Sequence, residues 1–337
     1  MNIPSSLMLD NREEYLRQIG ASPQAPIQSA AENIGPESYG CHRRRRLAYI
    51  CVYADNYVSV VDIDNARKLL DIPVGSGPLD IDINRVSLYA YVSNFFGNTI
   101  SMIDLRDNRT VRTVPVGLSP AGVRLSPQGR FLYVVHYGQP SVYVLDAYSL
   151  ERVTEIPLPS IGFQIDITEN GTLAFVSLRN AAQIAVIDLS VNLVAKVIPA
   201  GAGTEDVRIS PTNRLAVISN EDGNTITPVN VALAEPATPN IPTPAAPVGL
   251  AFTHGGSRLY CANRGDNSVS VFDVFSHSEI TKIPAGQGPY GAEATAGGRL
   301  LVVTNSYEST ISIIDTHLNA VISTVTVGYA PAFLAIL

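Results

Sequence analysis

An all-β chain, a ring of seven four-stranded antiparallel sheets joined end to end, is the fold class that three observations predict. A hydrophobic-hydrophobic-Asp signature recurs seven times at steps of 42 or 43 residues. Each copy holds four short apolar runs separated by Gly, Pro, Asn and Asp turns. The composition is poor in charge (16%) and rich in Gly (25) and Pro (23), which suits short strands and excludes disorder, coiled coil or a charged helical bundle.

The signature reads VSVVD to Asp62, ISMID to Asp104, VYVLD to Asp146 and IAVID to Asp188, then ITPVN to Asn230, VSVFD to Asp273 and ISIID to Asp315. Within a copy a Pro-containing turn leads to a first strand, as in GPLDIDI (77–83) or SPAGVRL (119–125). A polar turn, SPQGR (126–130), precedes a second strand, FLYVVH (131–136); the signature strand follows, and RTVRTVPVG (109–117) typifies the last. Sheets repeated radially at this spacing make a seven-bladed β-propeller. Its ends predict the closure. YAPAFLAIL (329–337) supplies only a first strand, while RRLAYICVY (45–53) begins at a second strand. The C-terminal strand is therefore expected to complete the N-terminal blade and leave no radial edge open.

YVSN (91–94), YCAN (260–263) and VVTN (302–305), each before a polar loop and a VSVID-like strand, resemble YVTN-type β-propeller repeats, as does SPQGRFLYV (126–134). The resemblance spans about residues 45–337. It implies either a binding propeller or an enzyme, since lactonases of sugar-acid metabolism and parts of quinoprotein dehydrogenases look similar. The absence of Trp argues against the WD type.

Two segments depart from the repeat. Residues 1–44 read as an N-terminal arm, with Asp10 and Glu13 as a capping box and Gly20 ending a short helix. Arg43–Arg46 at its junction reads as a solvated patch. Residues 228–247 carry six prolines, so the outer strand of the fifth blade should be irregular.

A net charge of −7 opposes a nucleic-acid or anionic-membrane partner. No apolar run reaches the roughly 18 residues of a membrane span. Cys41, Cys51 and Cys261 are too scattered for a disulfide framework or a zinc site, and the start lacks a secretory pattern, so a reducing cytoplasm is expected. Nothing in the sequence implies a cofactor or bound metal. GQGPYG (286–291) leads into a strand rather than a helix, which removes it as a dinucleotide loop.

The seven copies permit an internal comparison. Residues recurring in every blade serve the blade, so the signature aspartates read as turn-formers. Deviations mark a site. Two positions beyond the first-strand start, the copies read Asp80, Gly122, Gln164, Asp206, Gly249, Gly291 and Phe333. Two further on stand Asp82, Arg124, Asp166, Arg208, Ala251, Glu293 and Ala335. These residues suggest ion pairs around the channel, holding blades in register or forming a charged pocket. Second strands end in Val52, Asn94, His136, Leu178, Asn220, Asn263 and Asn305. Beyond them, Tyr53, Phe95, Phe96 and Tyr137 face Arg179, Glu221, Asp222 and Arg264. These residues, with Tyr290, form a candidate surface for a small molecule, peptide or protein at the channel mouth. The enzyme reading takes His136 as general base oriented by Asp166, with Arg124 or Arg208 holding an anion. His254, His277 and His317 lie in turns and receive no role.

Overall fold

A computed structural model describes residues 45–253 and 255–337; the proposed N-terminal arm, Cys41 and His254 lie outside them. Seven antiparallel sheets stand around one channel. The first blade contains Leu47–Val52, Tyr57–Asp62 and Arg67–Pro73, and its innermost strand is the C-terminal Pro331–Ile336. Ala48 pairs with Ile336 and Ile50 with Leu334, so a noncovalent interlock closes the ring. The inner strands of the other blades are Pro78–Asn84, Pro120–Leu125, Ile165–Ile167, Thr204–Ile209, Pro247–Phe252 and Pro289–Ala294. Their outer strands end at Pro115, Pro157, Pro199, Pro242, Pro284 and Thr326.

In the fifth blade the outer strand is split into Glu235–Pro236 and Ile241–Pro242, both paired with Thr225–Asn230. Proline lacks the N–H that a continuous ladder needs, and the cluster of prolines interrupts it. The signature residues cap the turns to the outer strands. Asp146 Oδ1 accepts from the Tyr148 and Ser149 amides at 3.0 and 2.9 Å, and Asp273 and Asp315 act alike. Asn230 Oδ1 accepts from Leu233 N at 3.0 Å, which explains why amide and carboxylate interchange there.

The core lies between blades rather than inside any one of them. Alternate side chains of each strand meet those of the neighbouring sheet, so both sheet faces are covered and charged positions are few. Large side chains also reach across seams: Tyr91 Oη donates to Ala147 O at 2.7 Å and Tyr49 Oη to Asn108 Oδ1 at 2.9 Å. No helix among the described residues is long and apolar enough to cross a membrane.

Candidate functional site

Inner strands start, and second strands end, on one face of the disc, here the upper face. In six blades the register between those strands shifts near this face, as between Pro78 and Asp80 or Pro247 and Leu250. Such a bulge frees backbone groups that need other partners. Ser93 Oγ accepts from Asp80 N at 3.0 Å and donates to Ala121 O of the next blade at 2.6 Å. Ser177 bridges Gln164 N and Glu205 O in the same way, and Thr304 bridges Gly291 N and Ala332 O.

The channel aspartates form a second set of bridges. Each carboxylate accepts from its own following amide and from an amide of the next blade. Asp80 takes Val123 N at 2.9 Å, Asp82 takes Leu125 N at 2.8 Å, Asp166 takes Ile209 N at 2.8 Å and Asp206 takes Leu250 N at 2.9 Å. Arg124 lies 3.2 Å from Asp166 and 3.9 Å from Asp82, and Arg208 lies 3.3 Å from Asp206 and 3.6 Å from Glu293. Burial raises the Asp80 carboxyl to about 6, against the pull of Arg124 and Arg208, and raises Asp206 and Glu293 as well. These groups hold neighbouring strands, and most of their hydrogen-bonding capacity is taken by the protein.

Above them lies a buried charge network. Arg179 bonds Glu205 and Glu221, and Arg264 bonds the second oxygen of Glu221. Tyr290 Oη donates to Glu205 Oε1 at 3.3 Å. Glu205 is fully buried; burial drives its carboxyl upward while both guanidinium groups pull it back. The network joins the fourth to seventh blades and places Arg179, Arg264 and Tyr290 below the surface. The sequence carried a signal for it: Glu205 stands in a column otherwise occupied by Leu79, Ala121, Phe163, Val248, Tyr290 and Ala332. A carboxylate among such apolar positions requires a buried cation.

The opposite arc is aromatic. Rings run from Tyr53 to Phe96 (5.2 Å), Phe96 to Phe95 (5.4 Å), Phe95 to Tyr137 (5.9 Å) and Tyr137 to Phe163 (6.1 Å). Phe163 is fully buried, whereas Phe96 is 40% exposed and Leu118 nearby 55%. Tyr53 and Phe95, each 7% exposed, flank Phe96, so the row holds one open ring between buried ones. The buried Gln164 Nε2 beneath them has no hydrogen-bond partner.

The structure does not bring His136 and Asp166 together. His136 takes the place of the asparagines that brace the third strand. Asn94 Nδ2 donates to Thr99 and Ser101, and Asn305 Nδ2 to Thr310 and Ser312, five and seven residues on. His136 Nδ1 meets Ser141 O at 3.3 Å, and its ring packs 4.4 Å from that of Tyr143. A Cβ on Gly117 would lie 2.7 Å from Nε2, so the glycine makes room for the ring. Burial lowers the imidazole to about 4, and it stays neutral near pH 7. Asp166 meanwhile serves Ile167 N, Ile209 N and Arg124. A dyad that would orient a base is therefore not assembled, because the imidazole is turned into its own blade.

Residues 43–170 match the family model described as the Cytochrome D1 heme domain. No curated protein matches the chain. Among solved structures, hydrazine synthase of Kuenenia stuttgartiensis is similar with a TM-score of 0.71 and 18% identity, over 78% of this chain and 90% of that one. A functionally unknown protein of Desulfotomaculum acetoxidans DSM 771 is similar with a TM-score of 0.75 and 17% identity, over 86% and 98%. Likenesses this distant establish the propeller fold.

The family description names a haem, whose iron needs an axial donor. Among the described residues, His136 is buried in its blade, His277 and His317 lie on turns at the lower face, and Cys51, Cys261 and Met102 are buried. No His, Cys or Met of the described residues is thus open at the upper channel mouth. Burial raises the Tyr137 and Tyr290 hydroxyls there, which disfavours the phenolate an iron would take, so the described residues do not fit a haem at that mouth. No group of three His, Cys, Asp or Glu residues is placed to hold a metal ion among the described residues.

Proposed function

We propose that the protein is a binding propeller whose contact surface is the aromatic arc of the upper face. Tyr53, Phe95, Phe96 and Tyr137, with Leu118 beside them, receive an apolar ring or side chain of a peptide, protein loop or small molecule. The observation that carries this reading is the row of packed rings in which half-open Phe96 is held between buried Tyr53 and Phe95. Aromatic groups with a fixed base and an open edge offer large contact area at little conformational cost. The neighbouring charges support the arc by making it rigid: Arg179, Glu205, Glu221 and Arg264 satisfy one another.

The likeness of the repeats to YVTN-type propellers accords with a binding role. A hydrolase or lyase of lactonase type draws on that likeness alone, because His136, Asp166 and Arg124 each bond elsewhere. A photo-reactive phenylalanine analogue at position 96, compared with one at the exposed Tyr148 of the lower face, tests the proposal in cells. The expected result is a discrete adduct from position 96 alone, and about a tenfold loss of affinity for that adduct's partner in F96D. Equal labelling from both positions, or unchanged affinity in F96D, would overturn it.

A further inference from the structure

We propose that the seam between the sixth and seventh blades, at the lower face, binds a small oxyanion, either a carboxylate or a phosphate monoester. The inference is independent of the aromatic arc, which lies on the other face. At each seam a residue that begins a second strand meets one just past a signature aspartate of the next blade. At six seams both are apolar and share one core cluster. Leu47 accompanies Leu105, Tyr89 Ala147, Phe131 Leu189, Leu173 Val231, Leu215 Val274 and Leu300 Ile63. At the seventh the pair is Arg258 and Thr316.

The consequence is a cavity of about 400 Å³ lined by Arg258, Ser257, Tyr260, Gly297, Thr316 and His317 among others. The adjacent seam, closed by Leu215 and Val274, leaves about 10 Å³. The larger volume is within the range of small-molecule sites. Arg258 is half-buried and fixed: Nη1 donates to Thr316 O at 3.2 Å, and its neighbour Tyr260 is anchored through Oη to Asn319 Oδ1 at 3.3 Å. Among the described residues no carboxylate forms an ion pair with Arg258. The nearby carboxylates are engaged in their own turns. Asp273 caps Phe275 N and Ser276 N, and Asp315 caps His317 N and Leu318 N and pairs with Arg299.

A guanidinium held in a cavity with free donors and hydroxyl groups beside it is suited to a planar carboxylate or a phosphoryl group. Gly297, an exposed residue of the lining, would meet nothing within 4 Å of an added Cβ, so the cavity is open on that side. The His317 side chain, 77% exposed, stands at the mouth with Nδ1 4.0 Å from Asp315 Oδ1, which leaves Nε2 as a further donor.

The test is calorimetric titration of the whole chain with inorganic phosphate and, separately, with succinate. The R258L/T316V variant restores the apolar pair of the other seams. Saturable binding of either probe is expected, phosphate identifying a phosphoryl ligand and succinate a carboxylate. R258L/T316V should weaken it by about tenfold or more while melting no lower than the parent. Should that variant fold poorly, R258Q reads the same loss with smaller change in volume. Binding of neither probe, or binding that survives loss of Arg258, would overturn the proposal.

Discussion

Two kinds of seam in the channel wall solve one problem differently. Between the second and third, the fourth and fifth, and the fifth and sixth blades, inner strands are joined by the carboxylates of Asp80, Asp82, Asp166 and Asp206 reaching next-blade amides. Between the sixth and seventh and the seventh and first blades, and again between the third and fourth, glycines let backbones approach directly. A Cβ on Gly249 would lie 2.2 Å from Tyr290 O and one on Gly291 2.7 Å from Ala332 O, and Gly122 N donates to Phe163 O at 2.8 Å. The difference teaches that charge in the channel is a substitute for close contact. Where strands stand apart a carboxylate spans the gap, and an arginine balances it; where they touch, neither is needed. Charge density in this wall is therefore a poor pointer to ligand chemistry, and the accessible aromatic residues are the better one.

Breaking a bridge should have the largest effect. D206A leaves Leu250 N without its acceptor and Arg208 without one partner, and should cost about 3–5 kcal/mol in denaturant unfolding. The glycine seams should fail by crowding instead: G249A must separate two backbones and should cost about 3 kcal/mol, measured the same way. If G249A is harmless, the two kinds of seam do not differ as stated.

His136 gives a pH-dependent comparison with the asparagine blades. Its folded value, about 4, is below the ordinary 6.5, so the unfolded chain takes up a proton first as pH falls. Stability is therefore lost between pH 6.5 and 4, by about 1.4 kcal/mol per unit at most. H136N should remove that slope, so its stability relative to the parent should improve by about 2–3 kcal/mol between pH 7 and 4. Parallel pH profiles would contradict the burial of a neutral ring. The smallest stability effect is expected at the surface. F96D should change stability by no more than about 0.5 kcal/mol while weakening binding about tenfold, which separates contact from framework.

Much of the frame was legible. The repeat of 42 residues, the interlocked ends and the proline-broken strand of the fifth blade all follow from spacing and turn chemistry. The turn role of Asp146 or Asp273 was readable because it recurs. The role of Asp80 and Asp206 was not, since it depends on bulges that set which amides are left unpaired. Arg179 and Arg264 drew attention as surface charges, and only the fold shows Glu205 and Glu221 enclosing them. His136 stood out from the asparagines in residue type, while its geometry repeats their bracing role. Arg258 and Thr316 were visible as deviations only after the seams were known, because they lie about 58 residues apart.

Amide hydrogen exchange in D206A most directly tests the claim that the channel carboxylates bond backbone of the next blade. Leu250 N–H and Val207 N–H should lose protection, while Val123 and Leu125, held by Asp80 and Asp82, keep theirs. Undiminished protection at Leu250 would show that Asp206 serves something other than the neighbouring strand, and would contradict the account.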